Sequence, residues 1–310
     1  MSINWPYFLV LVTCFIVFIV ACDSAESKKG RFLLKGNNEL AEGNTKGAIS
    51  YYSEAIDIDP EFKEGYYNRG LAKYRQFRYE EAIADYTQAL SLKGDYREAR
   101  LQRAMAYLDF GENYKALEDT KILISSDDQD SQAHFVRGLT LSALKNYTDA
   151  REAFERARAL DPENVELYIN LATVNYQMRA WEAATQDLSR AQQLDPEHSM
   201  IYNLQSLLHF ENEEYEKALA AVEEAIEIEK DQSFYYNNRG LYHLYLGNLE
   251  EGLKDINFSL KQNSQNLHAL RNKGIYYYKK GEKELGERFL KEVYEKDPDI
   301  DLVEEYLNGN

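Results

Sequence analysis

The chain has 310 residues and carries 53 acidic side chains against 36 Lys and Arg, a formal net charge of −17. Phosphate polymers and anionic lipid surfaces are bound chiefly through clustered Lys and Arg, so this balance argues against both as partners. With 44% hydrophobic residues, including 25 Tyr and 13 Phe, the chain has ample material for a folded core and is not a disordered tail.

The first element is an apolar run from Phe8 to Val20, interrupted only by Thr13 and Cys14. It is short for a membrane-crossing helix of about 20 residues and has the length of a signal-peptide core. Both cysteines, Cys14 and Cys22, fall in this region, so the chain beyond them has no disulfide and no Cys-based metal site. The stretch Ile19-Val20-Ala21-Cys22 resembles the lipobox of bacterial lipoproteins. That resemblance implies a signal peptide over 1–21, acylation of Cys22, a tether over 22–28 and a chain anchored in the bacterial cell envelope. Acyl chains would hold it there at about 0.8 kcal/mol per buried methylene. Residues 1–7 contain no Lys or Arg, unlike the usual signal peptide. A second reading therefore keeps the segment as an uncleaved anchor, with Lys28, Lys29 and Arg31 holding its far side in the cytoplasm.

From Lys29 the chain falls into eight rows of 34 residues without insertion or deletion: 29–62, 63–96, 97–130, 131–164, 165–198, 199–232, 233–266 and 267–300. The eighth place of each row is small (Gly36, Gly70, Ala104, Gly138, Ala172, Ser206, Gly240, Gly274), and so is the twentieth (Ala48, Ala82, Ala116, Ala150, Ala184, Ala218, Gly252, Gly286). A large apolar residue fills the twenty-fourth place in seven rows, from Tyr52 and Tyr86 to Leu290. Each row predicts two amphipathic helices packed closely at the small residues, with the large side chain in the groove between them. Gly43, Gly111, Gly247 and Gly281 at the fifteenth place mark the turn within a row. Pro60, Pro162, Pro196 and Pro298 each follow an Asp and close their rows. Residues 301–310 read as a polar-faced capping helix.

This spacing closely resembles the tetratricopeptide repeat, over residues 29–300. The resemblance implies an all-α, right-handed α-solenoid of eight helix-turn-helix repeats plus the C-terminal cap, acting as a non-enzymatic scaffold for a protein or peptide partner, with no cofactor. One departure is systematic. The seventh place holds Lys35, Arg69, Arg103, Arg137, Arg239 and Lys273 in six rows, and the twenty-third supplies Asp85, Asp119, Asp187 and Asp255. Such charges need partners, either within a repeat or between neighbours, and so read as structural.

In the family, the first helix of each pair lines the concave face through places 2, 5, 6, 9, 12 and 13. Those places are mainly apolar or amide here, with Glu64, Glu98, Asp109, Glu166 and Glu211 against Arg75, Arg271 and Lys279. Asn68, Asn170, Asn238 and Asn272 share the sixth place and would form a ladder able to hold a peptide backbone. Tyr67 lies on the same face, and Tyr74, Tyr176, Phe210 and Tyr278 share the twelfth place, where they would stack on ligand side chains or on the next repeat. Another branch of the family clamps a C-terminal carboxylate. Asn37 and Asn68 match its asparagines, but Leu33, Glu98 and Gln102 stand where its basic residues belong, so the groove is expected to lack the charge that a carboxylate needs. The only enzymatic candidate is His209 with His243, at the same eleventh place of adjacent rows, as a zinc site near Glu211 or, more simply, as packed core histidines.

Overall fold

The computed structural model describes residues 24–309, and all its regular elements are α-helices. Cys22, the signal segment 1–21 and the start of the tether lie outside the described residues. The chain divides into two compact units. The first, ending at Asn146, holds α1 (Ala25–Ala41), α2 (Thr45–Ile58), α3 (Lys63–Tyr74), α4 (Tyr79–Leu92), α5 (Arg97–Asp109), α6 (Asn113–Ser126) and α7 (Ser131–Ala143). The second, from Tyr147, holds α8 (Tyr147–Leu160), α9 (Val165–Gln177), α10 (Trp181–Leu194), α11 (Ser199–Glu211), α12 (Tyr215–Ile228), α13 (Ser233–Tyr245), α14 (Leu249–Gln262), α15 (Leu267–Lys279), α16 (Lys283–Lys296) and α17 (Val303–Leu307).

Two boundaries differ from expectation. The first helix starts inside the expected tether, because Ser24 Oγ accepts from the Ser27 amide at 3.2 Å and Glu26 reaches Lys29 Nζ at 2.6 Å, which caps and closes the first turn. The final helix spans only Val303–Leu307, after Leu302 in the left-handed region with φ 68°. Its Val303 and Tyr306 are buried with Ile300 in the core of the second unit, so the cap is apolar inward.

The residues at the twentieth and twenty-fourth places are buried in every row, as close helix packing requires. The turn within each row has one backbone solution. The fifteenth place has positive φ in all eight rows: Gly43, Gly111, Gly247 and Gly281 at 81–94°, and Phe77, Lys145, Arg179 and Glu213 at 57–60°. A side chain in that region costs about 1–2 kcal/mol. Phe77→Gly is therefore expected to raise stability by about 1 kcal/mol once the entropy of glycine in the unfolded chain is counted. Thermal melting reads this directly, and a lower transition would refute the argument, since Phe77 is 78% exposed and loses little packing.

Between rows, an Asx side chain at the thirty-first place braces the turn. Asp59, Asp195 and Asp297, each before a proline, accept from the amide two residues on at 3.0–3.1 Å. Asp127 and Asn263, which no proline follows, do the same at 2.9 and 3.0 Å. Lys93 and Glu229 hold the same extended backbone at this place, so the Asx bond and the proline each reinforce the turn rather than create it.

The structure also selects the pairing of the seventh-place cations. Arg69 donates through Nε and Nη2 to Asp85 at 2.9 and 2.8 Å, Arg103 to Asp119 at 2.8 Å twice, and Arg239 to Asp255 at 2.6 and 2.9 Å. All three pairs are within a repeat. Lys73 adds to Asp85 at 2.7 Å and Arg100 to Asp119 at 3.1 Å. Row five has Leu171 at the seventh place, and its Asp187 takes Arg158 and Asn175 instead, each at 2.9 Å. Burial pushes the Asp187 carboxyl up from the ordinary range.

Candidate functional site

The inner-face residues are built differently in the two units. In the first, Tyr67 sits between Tyr86 and Tyr96, with ring centroids at 6.2 and 5.2 Å, and burial pushes its hydroxyl up. Tyr74 donates its hydroxyl to Asp109 of the next row. Asn68 Nδ2 turns back onto the carbonyl of Glu64 at 2.8 Å. These side chains are spent mostly on the repeats themselves.

In the second unit Asn170 likewise bonds back to the Glu166 carbonyl at 2.8 Å, and Tyr176 donates to Glu211 of the next row at 2.9 Å. Tyr74 and Tyr176 thus share one device: a twelfth-place hydroxyl satisfied by a thirteenth-place acid one row on. Phe210 is locked among Tyr215, Tyr242 and Tyr245, with centroids 5.0–5.5 Å away. Tyr278 packs edge-on against Tyr306 at 5.1 Å.

The expected asparagine ladder needs correction. Asn272 has no exposed surface, and its Nδ2 donates to the side-chain oxygen of Asn237 at 2.9 Å and to the Asn237 carbonyl at 3.1 Å. Asn238 makes the same link one row earlier, to Asn203 Oδ1 at 2.9 Å. The sixth-place amides here bridge to fifth-place amides of the preceding row. They hold neighbouring first helices in register, and Asn272 is thereby removed from any groove.

That bridging borders a cleft of about 580 Å³ within the second unit. Its apolar walls include Leu207, Phe210, Phe234, Leu241, Tyr242 and Tyr245, its amides are Gln177, Asn203, Asn237, Asn238 and Asn266, and Tyr176 and Tyr215 add hydroxyls. Glu211, Glu213, Asp301 and Glu305 also line it, as do Arg179, His268 and Arg271. Tyr176, Phe210 and Asn238 from the sequence-predicted set meet here, whereas Asn170, Asn272 and Tyr278 do not line it.

One of the three cations expected on the inner face, Arg271, lies at this cleft. Arg271 is only 7% exposed; its Nε donates to Asn272 Oδ1 at 2.9 Å and Nη1 to the backbone carbonyl of Asp301 at 3.3 Å. Burial pulls this guanidinium below its ordinary range, and burial together with Arg271 does the same to His268. A signal was present in the sequence. The fifth place reads Leu33, Tyr67, Leu101, Phe135 and Ile169 in five rows, then switches to Asn203, Asn237 and Arg271.

The histidine candidate does not assemble. His209 Nδ1 is 2.7 Å from Glu214 Oε2, at the turn into its own partner helix, and among the described residues no group of three or more metal-ligating side chains is placed to hold an ion.

Models of the tetratricopeptide repeat match residues 36–76, 64–96, 101–165, 141–208, 201–232 and 237–299. The chain belongs to the tetratricopeptide repeat family. Among curated relatives of this repeat protein, DnaJ homolog subfamily C member 7 of Mus musculus is 31% identical over 131 residues, covering 41% of this chain and 26% of the relative. DnaJ homolog subfamily C member 3 of Bos taurus is 28% identical over 156 residues, 49% of this chain and 30% of the relative. The chain thus spans less than a third of the length of these two relatives. A crystal structure of a tetratricopeptide repeat protein from Parabacteroides merdae superposes with a TM-score of 0.69 at 20% identity, covering 80% of this chain and 98% of that one, which shows the shared fold.

Proposed function

We propose that this repeat protein is a non-enzymatic scaffold that binds a partner polypeptide, with the cleft of the second unit as its principal contact, and that acylation at Cys22 holds it in the bacterial envelope. The cleft carries the binding reading. It combines aromatic walls with amides fixed by inter-row bonds, a rigid mixed surface of the kind that takes a peptide in extended form. The family supports the same class of activity, since its members generally bind proteins. The anchoring reading rests on the Ile19-Val20-Ala21-Cys22 stretch.

A photo-crosslinking residue in place of Leu207, introduced into the full chain in its native cell, is expected to trap a discrete polypeptide. Leu207→Ala with Asn238→Ala should reduce capture of that same polypeptide about tenfold, the cost of one or two good contacts. Undiminished capture by the double variant, with its circular dichroism intact, refutes the cleft as the contact. For the anchor, labelled palmitate is expected to enter the wild type and to be absent from Cys22→Ala. Equal labelling of the two, or none in the wild type, favours the uncleaved anchor facing the cytoplasm, which the lack of Lys and Arg in residues 1–7 suggests.

A further inference from the structure

Acylation at Cys22 and an uncleaved anchor ending at Val20 each put a bilayer immediately ahead of α1. The helix is capped at Ser24, two residues after Cys22 and four after Val20, spans of at most about 7 and 14 Å. Most of the expected tether over 22–28 has thus been taken into the fold. An anchor at either point holds α1 itself close to the membrane.

α1 packs on α2 and α3 and, among the described residues, leaves one side uncovered. In the other seven rows the third and tenth places are buried, as at Ala99 and Ala106 or Tyr235 and Tyr242. In row one they are Arg31 and Asn38, both exposed. The end of a repeat stack needs a polar outer face for solubility, and this accounts for the polarity. It does not account for the sign. Lys28, Arg31 and Lys35, at spacing i, i+3 and i+7, share this side of the helix and are exposed, and Leu34 beside them is 61% exposed. Of the acids in α1, Glu26 is taken by Lys29 at 2.6 Å and Glu39 accepts from Asn44 at 2.6 Å. The next acid on the uncovered side, Glu42, follows the helix end about 10 Å beyond Lys35. The C-terminal cap α17 carries the opposite sign, with Glu304 and Glu305 exposed.

The whole-chain charge disfavours an anionic surface, but it is unevenly carried. Up to Asn146 there are 18 Lys and Arg against 21 acids, and from Tyr147 there are 18 against 32, so the excess of acid belongs mainly to the second unit. At physiological salt, exposed charges act over about 8 Å, well short of the length of α1 at about 25 Å. The local sign of the α1 face therefore decides what it attracts.

We propose that the uncovered side of α1 lies on the headgroups of an anionic bilayer, with Lys28, Arg31 and Lys35 at the level of the phosphates and Leu34 entering the interface. Each Lys or Arg near such a surface adds an increment of attraction, and three suffice to hold a helix that an anchor has already delivered there. Their long stems follow apolar surface while the charged heads stay among the phosphates. α1 then lies along the bilayer rather than standing on its N-terminal end. This rests on the anchoring reading above, in either of its forms, and assigns the surface that the anchor brings to the membrane.

The test uses the full chain, made in its native cell and reconstituted into vesicles of phosphatidylcholine alone or mixed with phosphatidylglycerol. A fluorescent non-natural residue replaces Leu34 or, as the control, Ile122, which is 49% exposed on α6. Lipids with a spin label near the headgroup are expected to quench position 34 at least about threefold more than position 122, and at least about threefold more on the anionic vesicles than on phosphatidylcholine. Lys28→Glu with Lys35→Glu should abolish both differences with circular dichroism unchanged. If that variant folds poorly, the comparison of the two vesicles with native cations still decides. Equal quenching at 34 and 122 on the anionic vesicles, or quenching at 34 that does not depend on phosphatidylglycerol, overturns the assignment. Crosslinking of one copy to another through position 34, without lipid quenching, gives this face to a second copy and overturns it as well. Flotation with the vesicles in high salt reads the anchor separately. Chains that float in high salt without quenching at 34 keep the anchor and lose the surface, whereas chains quenched at low salt and released by high salt keep the surface and lose the anchor.

Discussion

Asp119→Ala is expected to lower the stability of the first unit by about 3–5 kcal/mol, the penalty for leaving buried cations without their partner. Asp119 is 2% exposed and holds two guanidiniums, Arg103 through both oxygens and Arg100 at 3.1 Å, all within the α5–α6 hairpin. Removing the carboxylate leaves two positive charges close together in a poorly solvated site. The contribution of the intact cluster is smaller than this penalty, because desolvation offsets much of the attraction. Hence Asp119→Leu combined with Arg103→Met should recover a good part of the loss, with Arg100 still able to reach the Gly94 carbonyl at 2.8 Å. Urea unfolding gives the size of the effect. Hydrogen exchange in α5 and α6 locates it, which matters because a repeat array need not unfold in one step. A loss below about 1 kcal/mol for Asp119→Ala would show the pairs to be solvated ornaments.

Gly286→Ala should also be destabilising, by about 1–3 kcal/mol, although alanine is the better helix former. A Cβ on Gly286 would stand 2.8 Å from the Gly274 carbonyl and 2.9 Å from the Tyr278 amide nitrogen. Both are backbone atoms of the partner helix α15, so relief requires the two helices to separate rather than a side chain to rotate. Gly30 in α1 provides the contrast. Nothing lies within 4 Å of a Cβ there, and Gly30→Ala is expected to stabilise by about 0.5–1 kcal/mol through helix propensity alone. Thermal melts of the two variants should therefore move in opposite directions. A shift of the same sign for both would mean that the α15–α16 approach is looser than its atoms indicate.

The repeat register and the helix-pair packing were legible because they rest on residue volume, which a sequence states openly. Small residues at places eight and twenty can be read without knowing any angle. The seventh and twenty-third places were legible as partners for the same reason of charge, and only the choice between pairing within and across repeats needed coordinates. The turn was half legible. Glycine marks it in four rows, but Phe77, Lys145, Arg179 and Glu213 adopt the same backbone at a cost that no propensity scale attaches to their names. The row junctions looked like proline signals, whereas Asp127 and Asn263 make the same turn without one.

The inner face was the least legible part, because an amide looks the same whether it faces a ligand or a neighbouring helix. Asn272 was expected in a groove and is sealed beneath one, since its row approaches Asn237 closely enough for a 2.9 Å bond. Arg271, one residue earlier, was expected on the inner face beside Arg75 and Lys279. Only the coordinates show that it is buried at the edge of the cleft. The change at place five from apolar to amide to cation was visible in the rows, but its meaning depends on which side of α15 is covered.

Most links between repeats join residues about one row apart, as Asn238 joins Asn203 and Tyr235 joins Ser199. Arg179 and Asp301 are different: they tie the turn of the fifth row to the residues that follow the eighth. During synthesis, each hairpin can dock on its predecessor soon after it emerges, but the wall of the cleft formed by Asp301, Leu302 and Glu305 arrives after all of them. A nascent chain stalled before residue 300 would display the amides and aromatics of its inner helices without the enclosed space around Arg271. The cleft is thereby completed only in chains whose second unit has been translated in full.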